Sequence, residues 1–138
     1  MLETIREYGR AALEASGEVE ASRQAHAAYY LRLAEEAELG IRSPLQTAWL
    51  ARLEREHANL RAALQWMLEH NEIEQNREMT LRLAAALAEF WRIRGYDSEG
   101  QIFLEQALAT CEGVATSVRA KILRAAARMA IYRNDYEW

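Results

Sequence analysis

Three groups of residues in this 138-residue chain have side chains that could do chemistry. The first is "FWRIRGYDSEG" (90–100), where Phe90, Trp91 and Tyr96 interleave with Arg92 and Arg94. Aromatics set among arginines are what a protein needs to stack bases and neutralise a single nucleic-acid strand. Gly95 and Gly100 in the same stretch invite comparison with a phosphate-cradling loop. The second group is His26, His57 and His70, the only histidines and so the candidate metal ligands. The third is the acidic runs Glu35-Glu36-Glu38 and Glu54-Glu56, candidates for general acid–base pairs.

Spacing weighs against most of this chemistry. No two histidines lie four apart and there is no H-E-x-x-H, so a metal site requires folding to gather all three. His26 and His57 fall on apolar stripes, where a histidine bonded to a neighbouring helix is the expectation. Tyr29-Tyr30 should seat the second helix against the third, with the hydroxyls at the core edge. The acidic runs have arginines one helical turn away, Arg32 for Glu35 and Glu36 and Arg52 for Glu56. That spacing predicts a solvated, ion-paired face. The single cysteine, Cys111, excludes an internal disulfide framework and a Cys-rich zinc site, and the adjacent Glu112 disfavours a thiolate. Nowhere do a nucleophile, a base and an oxyanion donor come together. The expectation is a non-enzymatic chain with no catalytic, metal or cofactor residues.

The elements that position these groups read as helices. Ala, Leu, Glu and Arg dominate, there is one proline, and β-branched runs are nearly absent. A first helix is predicted over Leu2 to Ala15, stopped by Ser16-Gly17, and a second over about Glu20 to Leu39. In "SPLQ", Ser43 suits an N-cap, Pro44 the first turn and Gln46 a capping box. The helix opened there holds phase from Trp49 through Leu68, and polar "EHNEIEQN" (69–76) is a predicted loop. Three further helices fit 77–94, 97–112 and 116–133, with Gly95 ending one and Asp97 or Ser98 capping the next. The net charge is −4 and the mean hydropathy −0.33, with 28% charged residues. That composition suits a soluble domain and weakly opposes nucleic-acid binding. No run approaches the roughly 18 apolar residues of a membrane span, and residues 1–20 carry no apolar signal region. A cytoplasmic location with no membrane partner is expected.

The last third echoes itself. "LAAALAEFWRIRGYDSE" (83–99) aligns with "ILRAAARMAIYRNDYEW" (122–138) at an offset that sets Gly95 on Asn134 and Arg94 on Arg133. Such a period predicts stacked antiparallel hairpins. Against the tetratricopeptide pattern, Leu87, Ala88, Trp91, Gly95, Leu104, Ala107 and Leu108 stand at appropriate spacings, although the offset exceeds the standard repeat and the terminal proline is missing. The fold expected is all-α: about six helices in a tetratricopeptide-like superhelix. Residues 1–16 form a linker helix, 17–76 a hairpin, and 77–138 degenerate repeats with the last truncated. The first helix of each hairpin lines the inner wall of such a superhelix, so Arg82, Glu89, Trp91, Arg92, Arg124 and Arg128 are the candidate surface for an effector or protein partner. The cut repeat edge at Met129, Tyr132, Tyr136 and Trp138 is a candidate homodimer interface.

Three stretches carry a family resemblance. "MLETIREYG" (1–9), "RQAHAAYYLRLAEEAE" (23–38) and "WLARLEREHANLRAALQWMLE" (49–69) are similar, in order, to the helical region of bacterial STAND-type (NB-ARC-like) signal-transduction ATPases. The branch is that of predicted ATPases of the LuxR- and SARP-regulator type. Gly9 stands where that family commonly has alanine, and Ala58 where it has an acid. The resemblance implies a piece of a transcription regulator in which nucleotide-binding and winged-helix domains precede a repeat arm that senses an effector. Leu2 to Tyr8 would then join switch to sensor. No G-x-x-x-x-G-K-[ST] loop is present, so ATP is expected only in an upstream domain. The chain alone is expected to bind neither ATP nor duplex DNA. Self-association and single-strand nucleic-acid binding through Trp91, Arg92, Arg94 and Tyr96 are the alternatives.

Overall fold

The structure, a computed structural model, describes residues 2–110 and 116–136, with side chains for 4–110, 117, 119–128 and 131. It is all-α, with α1 (Leu2–Ile41), α2 (Gln46–Arg55), α3 (His57–Glu69), α4 (Glu74–Arg94), α5 (Asp97–Ala109) and α6 (Thr116–Tyr136). Among the described residues there are six helices, as expected, but they are divided differently. The first two predicted helices are fused, and the third is split.

The fusion runs through Ser16-Gly17. A glycine stops a helix when the chain needs a left-handed residue to turn back. Gly17 has no positive φ, and a Cβ there would meet nothing within 4 Å. With no turn required and good helix formers on both sides, the helix continues at a local cost of about 1 kcal/mol relative to alanine. The resulting 40 residues span about 60 Å at 1.5 Å per residue. Only the second half packs: residues 4–23 are exposed throughout, whereas Ala27, Tyr30, Leu31, Leu33, Ala34, Ala37 and Ile41 are buried.

The split falls at Glu56, a bend with φ −96° and ψ 5° that closes α2 and opens α3. Hydrogen bonds continue on both sides, Glu56 N to Arg52 O (3.1 Å) and Leu60 N to Glu56 O (2.9 Å). The bend keeps α2 on α1 while α3 also reaches α4. It lets Leu53 and Leu60 both be fully buried. At the start of α2, Ser43 Oγ accepts from Leu45 N (3.1 Å), but the helix begins after Leu45 and has no side-chain cap. The ring of Trp49 lies so close to Gly40 that a Cβ on Gly40 would overlap it.

The predicted loop 69–76 is shorter than expected, because α4 already begins at Glu74. Asn76 is buried with its side chain satisfied: Oδ1 accepts from Gln24 Nε2 (2.8 Å) and Nδ2 donates to His70 O (3.1 Å). A buried amide is tolerated only when bonded in this way. Helix α4 contacts α1, α3, α5 and α6 and is the centre of the molecule. It contributes Leu81, Leu83, Ala84, Ala86, Leu87, Phe90 and Trp91 to a single core that runs from Ala27 to Ile122 and crosses the expected 76/77 boundary.

Helix α4 ends as the sequence requires. Gly95 has φ +77°, Tyr96 N donates to Trp91 O (2.8 Å), and Gly95 N donates to Arg92 O (3.4 Å), a Schellman ending. Helix α5 starts at Asp97 with Tyr96 as N-cap and no side-chain cap, so neither Asp97 nor Ser98 serves as that cap. The echo does not reproduce this turn. Helix α6 continues through Asn134 to Tyr136.

Candidate functional site

The last turn of α1, the middle of α4 and α6 meet around a cleft of about 330 Å³. Each helix contributes one face. On α4 it is Ala85, Ala88, Glu89 and Arg92, and on α6 it is Lys121, Arg124, Ala125 and Arg128. Both sets follow the i, i+3, i+4, i+7 spacing of a helical stripe. The alanines leave the space, and the long side chains rim it. Glu38 of α1 and Arg42, in the turn just after it, complete the wall.

Ion pairs tie the three helices together. Lys121 Nζ reaches Glu38 Oε1 (2.7 Å) across 83 residues of sequence. Glu89 accepts from Arg92 (2.7 Å) on its own helix and from Arg128 (2.8 Å) on α6. The Arg92 hydrogen bond, opposed by partial burial and aided by the charges of Arg92 and Arg128, holds the Glu89 carboxyl below the usual range. Among the described residues, Arg42 and Arg124 take part in no ion pair.

Of the residues expected on a binding surface, Glu89, Arg92, Arg124 and Arg128 come together in this cleft. Arg82 does not: it forms a two-pronged pair with Glu35 of α1, Nε to Oε2 at 3.2 Å and Nη2 to the other oxygen. Trp91 is not on a surface at all. It is 1% exposed and stacks on Phe103 of α5 at 5.9 Å between centroids. In the same stretch Tyr96 is packed on the His57 ring (4.5 Å) with its hydroxyl donating to Glu54 (2.9 Å). Arg42, Lys121 and Glu38 were missed. Lys121 and Arg128, one stripe length apart on α6, carried a signal; Arg42, just past the end of α1, carried none.

The other candidates form supports. His57 Nε2 bonds Glu99 Oε2 of α5 (2.7 Å), as expected of a packed histidine, and Arg61 also bonds Glu99. His70 stacks on Trp66, and His26 tilts against Tyr30. Tyr30 is buried and donates to Glu56 Oε2 (2.9 Å), whereas Tyr29 is exposed. The carboxylates expected to pair along their own helices instead serve between helices: Glu35 with Arg82, Glu54 with Tyr96, and Glu56 with Tyr30. Among the described residues no three His, Cys, Asp or Glu are grouped to hold a metal ion, and no helix is long and apolar enough to cross a membrane. Cys111, Trp138 and the side chains of Met129, Tyr132 and Tyr136 lie outside the described residues. No protein-family model, curated protein or solved structure matches the chain.

Proposed function

We propose that this chain is a non-catalytic, effector-binding arm of a STAND-type signal-transduction regulator, working in the cytoplasm beside nucleotide-binding and winged-helix domains. The observation that carries the reading is the charged cleft between α1, α4 and α6, because its walls come from helices far apart in sequence. A ligand seated there bears on all three helices and so favours one packing of them over another, which is what allostery by differential binding requires. Helix α1 supplies the output. Its second half belongs to the core, and its first half continues as helix through Leu2–Tyr8, exposed from Thr4 on, so a shift at Glu38 is carried along one continuous helix. The three family-like stretches support this order of sensor and joint.

ATP hydrolysis and DNA recognition then belong to neighbouring domains. The test compares Mg-ATP with inorganic tripolyphosphate by calorimetry. The expected result is no binding that depends on the adenosine; micromolar binding of ATP that tripolyphosphate does not reproduce would place nucleotide recognition in this chain and overturn the proposal. A second reading, self-association along α6, is favoured by the exposure of Leu123 and Ile131. Sedimentation over a range of concentrations tests it, and a persistent monomer removes it.

A further inference from the structure

We propose that the cleft between α1, α4 and α6 is a site for a compact ligand bearing two or more oxyanion groups, carboxylate or phosphate. The inference deepens the effector-binding reading of this cleft and rests on it.

Charge is the first ground. The chain as a whole is acidic, at −4, yet Arg42, Arg92, Lys121, Arg124 and Arg128 face the cleft against only Glu38 and Glu89. The positive excess is therefore local, and it is concentrated in a concave space, where low-dielectric walls focus the field. Both carboxylates are already committed, Glu38 to Lys121 and Glu89 to Arg92 and Arg128. Among the described residues Arg42 and Arg124 have no ion-pair partner, and they stand on different walls, the turn that follows α1 and helix α6. One anionic group can satisfy one such guanidinium through its two-pronged donor set. Bridging both walls takes a ligand with at least two.

Shape is the second ground. Ala85, Ala88 and Ala125 form the floor where larger side chains would fill the space, and about 330 Å³ remains. That volume is at the small end for ligand sites, where a few placed polar groups set orientation. The depression between α3 and α5, at Leu68, Ile102 and Phe103, is larger at about 520 Å³ but has only Glu69 as a charged lining residue. It offers no cation to an anion and serves as an internal contrast.

Calorimetry of the 138-residue chain with pyrophosphate and, separately, citrate tests the proposal at low and physiological salt. One saturable site is expected, for whichever of the two anions matches the ligand chemistry; tighter pyrophosphate assigns phosphate, and tighter citrate assigns carboxylate. Arg42→Ala and Arg124→Ala should each weaken binding by about ten-fold, the loss of one charge-assisted contact. Ala88→Leu should abolish it by filling the floor with no change in charge. Arg119→Ala, an exposed arginine outside the cleft, should leave it unchanged. Each variant is checked by thermal unfolding, so that loss of binding is counted only in a folded chain. Failure of both anions at millimolar concentration overturns the inference, as does binding that Arg119→Ala weakens as much as Arg124→Ala. Tighter binding of a single-stranded oligonucleotide than of either anion also overturns it. A neutral small molecule binding the cleft while both anions fail would overturn this inference and leave the effector-binding reading intact.

Discussion

Gly40 and Gly95 both end or precede turns, yet they are needed for different reasons. Gly95 is in the left-handed region at φ +77° with open space around it. Gly95→Ala therefore strains the backbone alone, and should cost roughly 1–2 kcal/mol in urea unfolding; an unchanged midpoint would show that the chain can turn without this conformation. Gly40 is helical, where alanine should gain about 1 kcal/mol by propensity, but a Cβ there overlaps the Trp49 ring. Overpacking of that kind typically costs about 1–3 kcal/mol. Gly40→Ala should accordingly destabilise the wild type and become neutral or stabilising beside Trp49→Ala, and equal effects in both backgrounds would contradict the contact. Glu89 sets a pH response. Its folded pKa lies below the ordinary 4.5, so its contribution is complete above that value and is lost as pH falls through the lower folded one. Glu89→Gln should flatten the acid limb of the stability profile, measured by thermal unfolding between neutral and acid pH. Gly95 could be read in the sequence because only glycine favours that conformation. The contact at Gly40 could not, since nine residues of separation do not reveal that a ring folds back.

At the scale of elements, α1 holds two different helices in one. Its first half has the stripe Ile5, Tyr8 and Leu13, all exposed; its second half has a stripe that is buried. Periodicity reports that a face is apolar and is silent on what covers it, which is why the two halves looked alike. The same limit made Ser16-Gly17 resemble a stop. Gly17→Ala should raise helix content by circular dichroism while leaving the unfolding midpoint of the core unchanged, because nothing packs on that turn. A rise in the midpoint would mean that the first half folds cooperatively with the core. The bend at Glu56 was equally hidden. An unbroken apolar phase from Trp49 to Leu68 permits a straight helix, and only the demand that α2 stay on α1 while α3 reaches α4 bends it.

At the scale of the molecule, the all-α class followed from composition and from the apolar stripes of α2 and α3, whereas α4 is buried on most of its faces. The order of helices was nearly legible, but their arrangement was not. Four of the six surface candidates do meet in one cleft, because helical spacing set Glu89 with Arg92 and Arg124 with Arg128. Trp91 failed as a candidate because an aromatic beside arginines reads alike whether it is exposed or buried. Arg42 escaped notice because no local pattern says that the end of α1 lies beside α6. That three-helix meeting point is where a ligand is proposed to act. Hydrogen exchange with and without pyrophosphate or citrate tests it most directly. If the cleft is the effector site, exchange slows together in α1 around Glu38, α4 around Glu89 and α6 around Arg124, with α5 unchanged; protection absent from these segments, or confined to others, would contradict it.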